Sequence, residues 1–304
     1  MGTTTPPGVV PRPPEPHHRS LSLSKGLLRQ AQGVPHPLTR TESSAMPIQN
    51  VIINSTDVAR SVAFYTEFLD AAVVGEATAE HAVLDLVTAT LELRSVPAAD
   101  STWVADDLQR GFRHVGFKVD RVDPRAEVLK AAGVPFHLDP LNAEGGVRIC
   151  FFYDPDGTLL ELVEGDLQYA QVLDADGVAA ERALGVPERP RFDHVAVTVD
   201  DRAATDAFYA PLGFSFIGTI EQPHDPRGFS IGYLKSGATV LEVFTYEAAK
   251  QTRSPQPDAP GFGWAQLAGT APTAGVTTVD NTSGAAVLAD ADGFLFATTD
   301  GPAA

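Results

Sequence analysis

The segment that begins at Asn50, NVIINSTDVARSVAFYTEFLDA, is echoed by the one that begins at His194, HVAVTVDDRAATDAFYAPLGF. In both, a polar residue opens an apolar run, an aspartate follows seven residues on (Asp57, Asp201), and a helix-like stretch ends in Phe-Tyr. Tyr65 and Tyr209 each fall fifteen residues beyond the opening position. Such self-similarity limits the fold more than composition does, because each copy is one small unit that must stack on a neighbour to bury its apolar face. The copies begin near Pro47, Phe112, Phe192 and Gly261.

Within a copy the local signals agree. Asp57 is placed to cap a helix in which Val58, Val62, Tyr65 and Leu69 recur at i, i+4, i+7 and i+11. The second copy starts its helix differently, at Asp123-Pro124, an N-cap followed by proline at the first helical position, and Gly133 ends it. Short apolar strands follow each helix, punctuated by turns such as Asp154-Pro155-Asp156-Gly157. The body therefore reads as strand, helix, then several strands, repeated: an α+β chain. The expected division is an N-terminal extension over 1–45, a first domain over 46–166, a linker over 167–190 and a second domain over 191–304.

Composition excludes several function classes. The chain of 304 residues carries a net charge of -17, with 22 basic against 39 acidic side chains, so its field repels nucleic-acid phosphates and anionic lipid. No apolar run reaches the eighteen residues or so that span a bilayer. The one cysteine, Cys150, lies in the apolar run Ile149-Cys150-Phe151-Phe152, reads as core rather than nucleophile, and permits no internal disulfide. A reducing, cytoplasmic setting follows as the expectation. The first 45 residues are rich in Pro, Ser and Thr, with five basic and two acidic residues and no apolar stretch of signal-peptide length. They read as a disordered extension preceding Met46.

Four residues stand at ends of short β-type runs on the repeating unit: Asn50, Glu92, His114 and Glu161. Two carboxylates, an imidazole and an amide, brought together, suit a hard or borderline divalent cation. His81 and His137 sit in strand-like runs, with surface or core placement the plainer expectation. Tyr65 and Tyr209 recur with their helices and read as packing residues; His17 and His18 fall in the extension.

The Asn50 strand followed by Ser61-Val62-Ala63-Phe64-Tyr65, the run Gly111-Phe112-Arg113-His114-Val115-Gly116-Phe117, and above all Phe152-Tyr153-Asp154-Pro155-Asp156-Gly157-Thr158-Leu159-Leu160-Glu161-Leu162 resemble the vicinal oxygen chelate superfamily, the glyoxalase and bleomycin-resistance group. The resemblance covers residues 46–246 well and 261–304 weakly. It implies tandem βαβββ modules paired into two half-barrel domains, with metal ligands from the first and last strand of each module. Carried over, His114 and Asn50 take first-strand positions, and Glu92 and Glu161 take last-strand positions. Asn50 is one methylene shorter than the glutamine often found there, so it serves as ligand, through a water, or as a group behind the ligands. Gln49, by strand alternation, points away from it. His194 and Glu242 match the corresponding positions of the third module, whereas Trp264 and Ala297 replace the ligands of the fourth. The second domain is accordingly expected to be a degenerate partner or lid, with the metal in the first.

The resemblance implies a divalent-metal-dependent lyase, isomerase or epimerase that moves a proton next to a carbonyl of a small oxygenated metabolite, with Glu161 and Glu92 as bases. Zn, Ni, Co, Mn and Fe all suit such ligands. Two other readings stand beside it: a metal-free small-molecule binder of the antibiotic-sequestering type, and an extradiol-type dioxygenase, which needs two histidines and one carboxylate. The expected partner is a small molecule, and the expected assembly a monomer of two paired domains or a homodimer.

Overall fold

The computed structural model describes residues 47–101, 106–254 and 256–300, where the repeat becomes four units. The first unit comprises β1 (Ile48–Ser55), α1 (Val58–Phe68), β2 (Ala72–Val74), β3 (His81–Asp85) and β4 (Thr90–Ser95). The second holds β5 (Gly111–Lys118), α2 (Val122–Ala131), β6 (Phe136–Asn142), β7 (Arg148–Tyr153) and β8 (Leu159–Glu164). A connecting segment carries β9 (Gln171–Val172) and α3 (Ala175–Ala183). The third unit is β10 (Arg191–Thr198), α4 (Arg202–Tyr209), a short 3₁₀ turn, β11 (Ser215–Gln222), β12 (Phe229–Ser236) and β13 (Thr239–Tyr246). The fourth is β14 (Gly261–Leu267), β15 (Thr277–Val279), β16 (Val287–Ala289) and β17 (Leu295–Thr298). No helix of the described residues is long and apolar enough to cross a membrane.

The fourth unit has lost the helix that the repeat predicts. Between β14 and β15 the chain reads Ala268-Gly269-Thr270-Ala271-Pro272-Thr273-Ala274-Gly275. Two glycines, a proline and two threonines in so short a stretch leave no apolar stripe and no helical propensity to compensate. The other helices start as local chemistry dictates. Asp57 accepts from the Arg60 amide at 3.0 Å, and Asp201 accepts from the amides of Ala203 and Ala204. The expected Asp123 cap is corrected: α2 begins at Val122, two residues earlier, and its Val122 amide donates to Glu164 of β8 at 2.8 Å. Pro124 then falls within the first turn, where a missing N–H costs nothing. Gly133 follows the helix with φ +79, the left-handed conformation that glycine tolerates.

The sheets join the units differently from the expected domains. One sheet runs β15-β16-β17-β14-β1-β4-β3-β2 and the other β6-β7-β8-β5-β10-β13-β12-β11-β9. First strands pair antiparallel, β1 with β14 and β5 with β10, so unit one shares a sheet with unit four and unit two with unit three. Neither sheet is confined to residues 46–166 or to residues 191–304. The physical reason is that all four first strands are apolar with equivalent edges, so strand patterning alone permits several pairings.

Units one and two, and three and four, meet through a second device. The Tyr65 hydroxyl donates to Asp154 of the unit-two turn at 2.8 Å, and the Tyr209 hydroxyl donates to Asp290 of the unit-four turn, also at 2.8 Å. The four units thus close a ring of alternating sheet pairings and Tyr–Asp bonds. The main apolar core draws on both sheets and on α1, α2 and α4, with Ile53, Phe117, Val197 and Leu267 beside Tyr65, Leu129 and Tyr209.

Candidate metal centre

Strands β8, β5, β10 and β13 lie side by side at the centre of the larger sheet. Alternation sends Leu160 and Leu162 to the apolar core and Glu161 to the opposite face, and does the same for Leu241, Val243 and Glu242. The first strands add one histidine each. His114 of β5 stands opposite Ala196, and His194 of β10 stands opposite Gly116, so each ring enters space left by a small residue on the neighbouring strand. A Cβ on Gly116 would lie 2.0 Å from Cε1 of His194.

The four side chains converge. His114 Nε2 is 3.1 Å from Glu161 Oε2, 3.4 Å from Glu242 Oε2 and 3.1 Å from His194 Nε2. His194 Nε2 is 3.0 Å from Glu161 Oε2 and 3.3 Å from Glu242 Oε2. All four residues are buried. Atoms bound about 2.0–2.2 Å from one ion, at angles from right to tetrahedral, stand roughly 3.0–3.5 Å apart. The observed separations fit that range, and two imidazoles with two carboxylates are a donor set for a borderline divalent ion. Glu242 Oε2 and His114 Nδ1 are buried with no hydrogen-bond partner, as expected of a cluster arranged around something other than itself.

The cluster is strongly polarised. Burial opposes ionisation of Glu161, but hydrogen bonds and charge from His114 and His194 prevail and hold its carboxyl at about 2. Burial likewise opposes a charged His194, while the carboxylates of Glu242, Asp193 and Glu161 raise its basicity well above that of a free imidazole. Asp193 Oδ2 lies 3.0 Å from His194 Nδ1 and orients the ring.

A strand irregularity makes that contact possible. The β5–β10 register slips at Asp193 and again at Arg113, so the residue before each histidine is an extra residue in its strand. Both line the same cavity as the cluster. The slip recurs in the smaller sheet at Gln49 and Gly263, which corrects the simple alternation expected of Gln49 and Asn50.

Of the four expected site residues, His114 and Glu161 are in the cluster; Asn50 and Glu92 belong to the other sheet. There Asn50 Nδ2 donates to Glu92 Oε2 at 2.9 Å, and His81 Nε2 lies 3.2 Å from Glu92 Oε1. The partner positions across that sheet are Trp264 and Ala297, packed with Ile52, Val287 and Leu295, with Arg94 over the Trp264 ring at 4.6 Å. That part of the smaller sheet is filled by apolar side chains. His194 and Glu242 supply what the sequence reading assigned to a separate domain. Pairing units two and three is the arrangement that collects four ligand-type residues, so an inventory taken over every pairing would have found it.

The cavity measures about 460 Å³, in the range of small-molecule sites. His137 stands at it, with Nδ1 3.1 Å from the Tyr153 hydroxyl. Cys150 points into the core, its thiol pushed up to about 12 by burial and by Glu161, and is inert. His17 and His18 lie outside the described residues.

A model of the Glyoxalase/Bleomycin resistance protein/Dioxygenase superfamily matches residues 48–162. The uncharacterized protein YwkD of Bacillus subtilis is 32% identical over 126 residues, 38% of this chain and 95% of that protein. The lactoylglutathione lyase of Schizosaccharomyces pombe is 28% identical over 117 residues, so the match spans only 34% of that enzyme. Among solved structures, glyoxalase I from Zea mays superposes with a TM-score of 0.56 at 18% identity, over 82% of this chain and 90% of its own, a likeness of fold. With one relative matched along nearly its whole length, a family model over the first two units and a shared two-sheet architecture, the chain belongs to the Glyoxalase/Bleomycin resistance protein/Dioxygenase superfamily.

Proposed function

We propose that the protein is a glyoxalase-like metalloenzyme whose active centre lies between units two and three and which moves a proton next to a carbonyl of a small oxygenated substrate. The convergence of His114, Glu161, His194 and Glu242 carries the reading. These four residues would hold a divalent ion, and the ion would supply Lewis acidity toward two substrate oxygens.

The chain's own part is the proton. Glu161 Oε2 is engaged by both histidines and is suited to stay in place. Glu242 Oε2 makes no hydrogen bond and lines the cavity, so once released from the ion that carboxylate would be free to accept a proton from substrate carbon. Tyr233, cross-strand neighbour of Glu242, remains a neutral hydroxyl because burial and that carboxylate suppress its ionisation. The lyase or isomerase outcome is set by what leaves the carbon after deprotonation. Glu161 and Glu242, on strands at either side of the two histidine strands, replace the expected pair Glu161 and Glu92 as candidate bases.

The test is elemental analysis of the purified protein together with solvent-deuterium exchange at the carbon beside the carbonyl of α-hydroxycarbonyl compounds. About one tightly held divalent ion per chain is expected, with exchange lost in Glu242→Gln while metal is retained. Ligand binding without tight metal would replace this reading by the sequestering one. Oxygen uptake with a catechol would replace it by ring cleavage, a reaction that needs two histidines and one carboxylate and does not use the second carboxylate of the cluster.

A further inference from the structure

Alternation places Glu242, Phe244 and Tyr246 of β13 on one face, and Phe229, Ile231 and Tyr233 of β12 line the cavity beside them. Phe229 stacks on Phe244, with centroids 5.5 Å apart and 15° between planes, and on Tyr246 at 5.0 Å and 13°. Phe151 stands edge-on to His114 at 4.9 Å. A wall of rings therefore begins at the cluster itself, two residues along the strand from Glu242.

The charges around the cavity point the same way. Seven acidic side chains line it against two permanent cations, Arg113 and Lys118. Both cations are already committed. Arg113 lies over the Phe244 ring at 4.2 Å, donates to Asp107 Oδ1 at 2.9 Å and to the Asp107 carbonyl at 3.1 Å, and reaches Tyr246 and Thr198. Only its Nε is without a partner, one N–H that a neutral oxygen satisfies. Lys118 donates to the Gly165 carbonyl, and its charge is drawn to Asp193. A divalent ion would leave the lining negative, within a chain of net charge -17. Arg227, over the Tyr246 ring at 5.0 Å, is likewise paired, with Asp107 and Asp225, so an anionic substituent meets repulsion and only committed cations, whereas an apolar one meets the wall of rings.

We propose that the substrate is an uncharged α-oxygenated carbonyl compound bearing an aryl or branched-alkyl group, its two oxygens at the His114–Glu161–His194–Glu242 cluster and its substituent along Phe229, Phe244 and Tyr246. Phosphorylated and carboxylated analogues are excluded. The inference rests on the metal reading above.

Hydroxamates chelate a divalent ion through two oxygens and isolate the substituent, so the test is calorimetric titration of the full zinc-loaded chain with acetohydroxamate, benzohydroxamate and the monohydroxamate of succinate. Benzohydroxamate is expected to bind about tenfold tighter than acetohydroxamate, as a partly buried ring contact implies, and the carboxylated compound at least about tenfold weaker than benzohydroxamate. Phe229→Leu should narrow the benzohydroxamate advantage and leave acetohydroxamate unchanged. Equal or tighter binding of the carboxylated compound, with acetohydroxamate still bound, overturns the substrate class alone. Failure of every hydroxamate on protein offered zinc, nickel or cobalt overturns the metal reading and this inference with it.

Discussion

A Cβ built on Gly116 lies 2.0 Å from Cε1 and 2.2 Å from Nε2 of His194, so the site demands an absence of side chain there as firmly as it demands the histidine. Gly116→Ala should displace the ring and weaken metal binding by at least about a hundredfold, the scale of losing an oriented ligand, with a small change in Tm; competition with a chelating dye reads the first and calorimetry the second. The two histidines are anchored unequally. His194 Nδ1 has Asp193 at 3.0 Å, whereas the corresponding strand position beside His114 is a cation, Arg113, and His114 Nδ1 has no partner. Asp193→Asn should therefore lower metal affinity about tenfold to a hundredfold and alter the visible spectrum of the cobalt form, while Asp193→Glu recovers part of the affinity. Unchanged affinity and spectrum in Asp193→Asn would show that His194 is held by packing alone. His114 and Glu161 were legible as candidates because His and Glu stand at fixed places on the strand pattern, whereas the expected Asn50 and Glu92 fall on the other sheet. The role of Asp193 was not legible, since the slip that brings it beside the ring is invisible to period-two reasoning.

At the scale of elements, what was readable is what is local. Asp57 and Asp201 cap the helices that directly follow them, and Gly133 ends the helix directly before it. The cap of α2 comes from Glu164, 42 residues away, and no nearby residue announces it. The Tyr–Asp bonds are the element-level fasteners. Tyr65→Phe or Tyr209→Phe strands a buried carboxylate oxygen and should cost about 1–3 kcal/mol in denaturant unfolding, with metal affinity unchanged. Their aspartates also impose a pH dependence. Burial first, and the neighbouring Asp156 second, raise Asp154 to about 6 from an ordinary value of 3.8, and burial raises Asp290 likewise to about 6. A carboxyl raised on folding binds its proton more tightly in the folded state. Its stabilising contribution is complete below the unfolded value and is lost as pH rises through the folded one. Relative to wild type, Asp154→Asn should gain in Tm between about pH 4 and pH 7. A wild-type-minus-variant difference flat across that window would contradict the assignment.

At the scale of the molecule, the places where the four segments begin were legible, because each starts with an apolar strand, opened by a polar residue at Asn50, His114 and His194 and by Trp264 in the fourth. The partnership between units was not. Sequence neighbours one and two are fastened by Tyr65 and Asp154, yet β1 pairs with β14 and β5 with β10. The choice rests on packing between distant segments that present equivalent patterns. It decides which side chains meet, since one sheet gathers two histidines and two glutamates while the other sets Asn50 and Glu92 against Trp264 and Ala297. The most direct test of that partnership is metal stoichiometry by elemental analysis, compared across His194→Ala, Glu242→Gln combined with Glu161→Gln, Asn50→Ala and Glu92→Gln. About one ion per chain should survive in the Asn50 and Glu92 variants and be lost from His194→Ala and from the double glutamine variant. Retention in those two, with loss on Glu92→Gln, would contradict a centre built by units two and three.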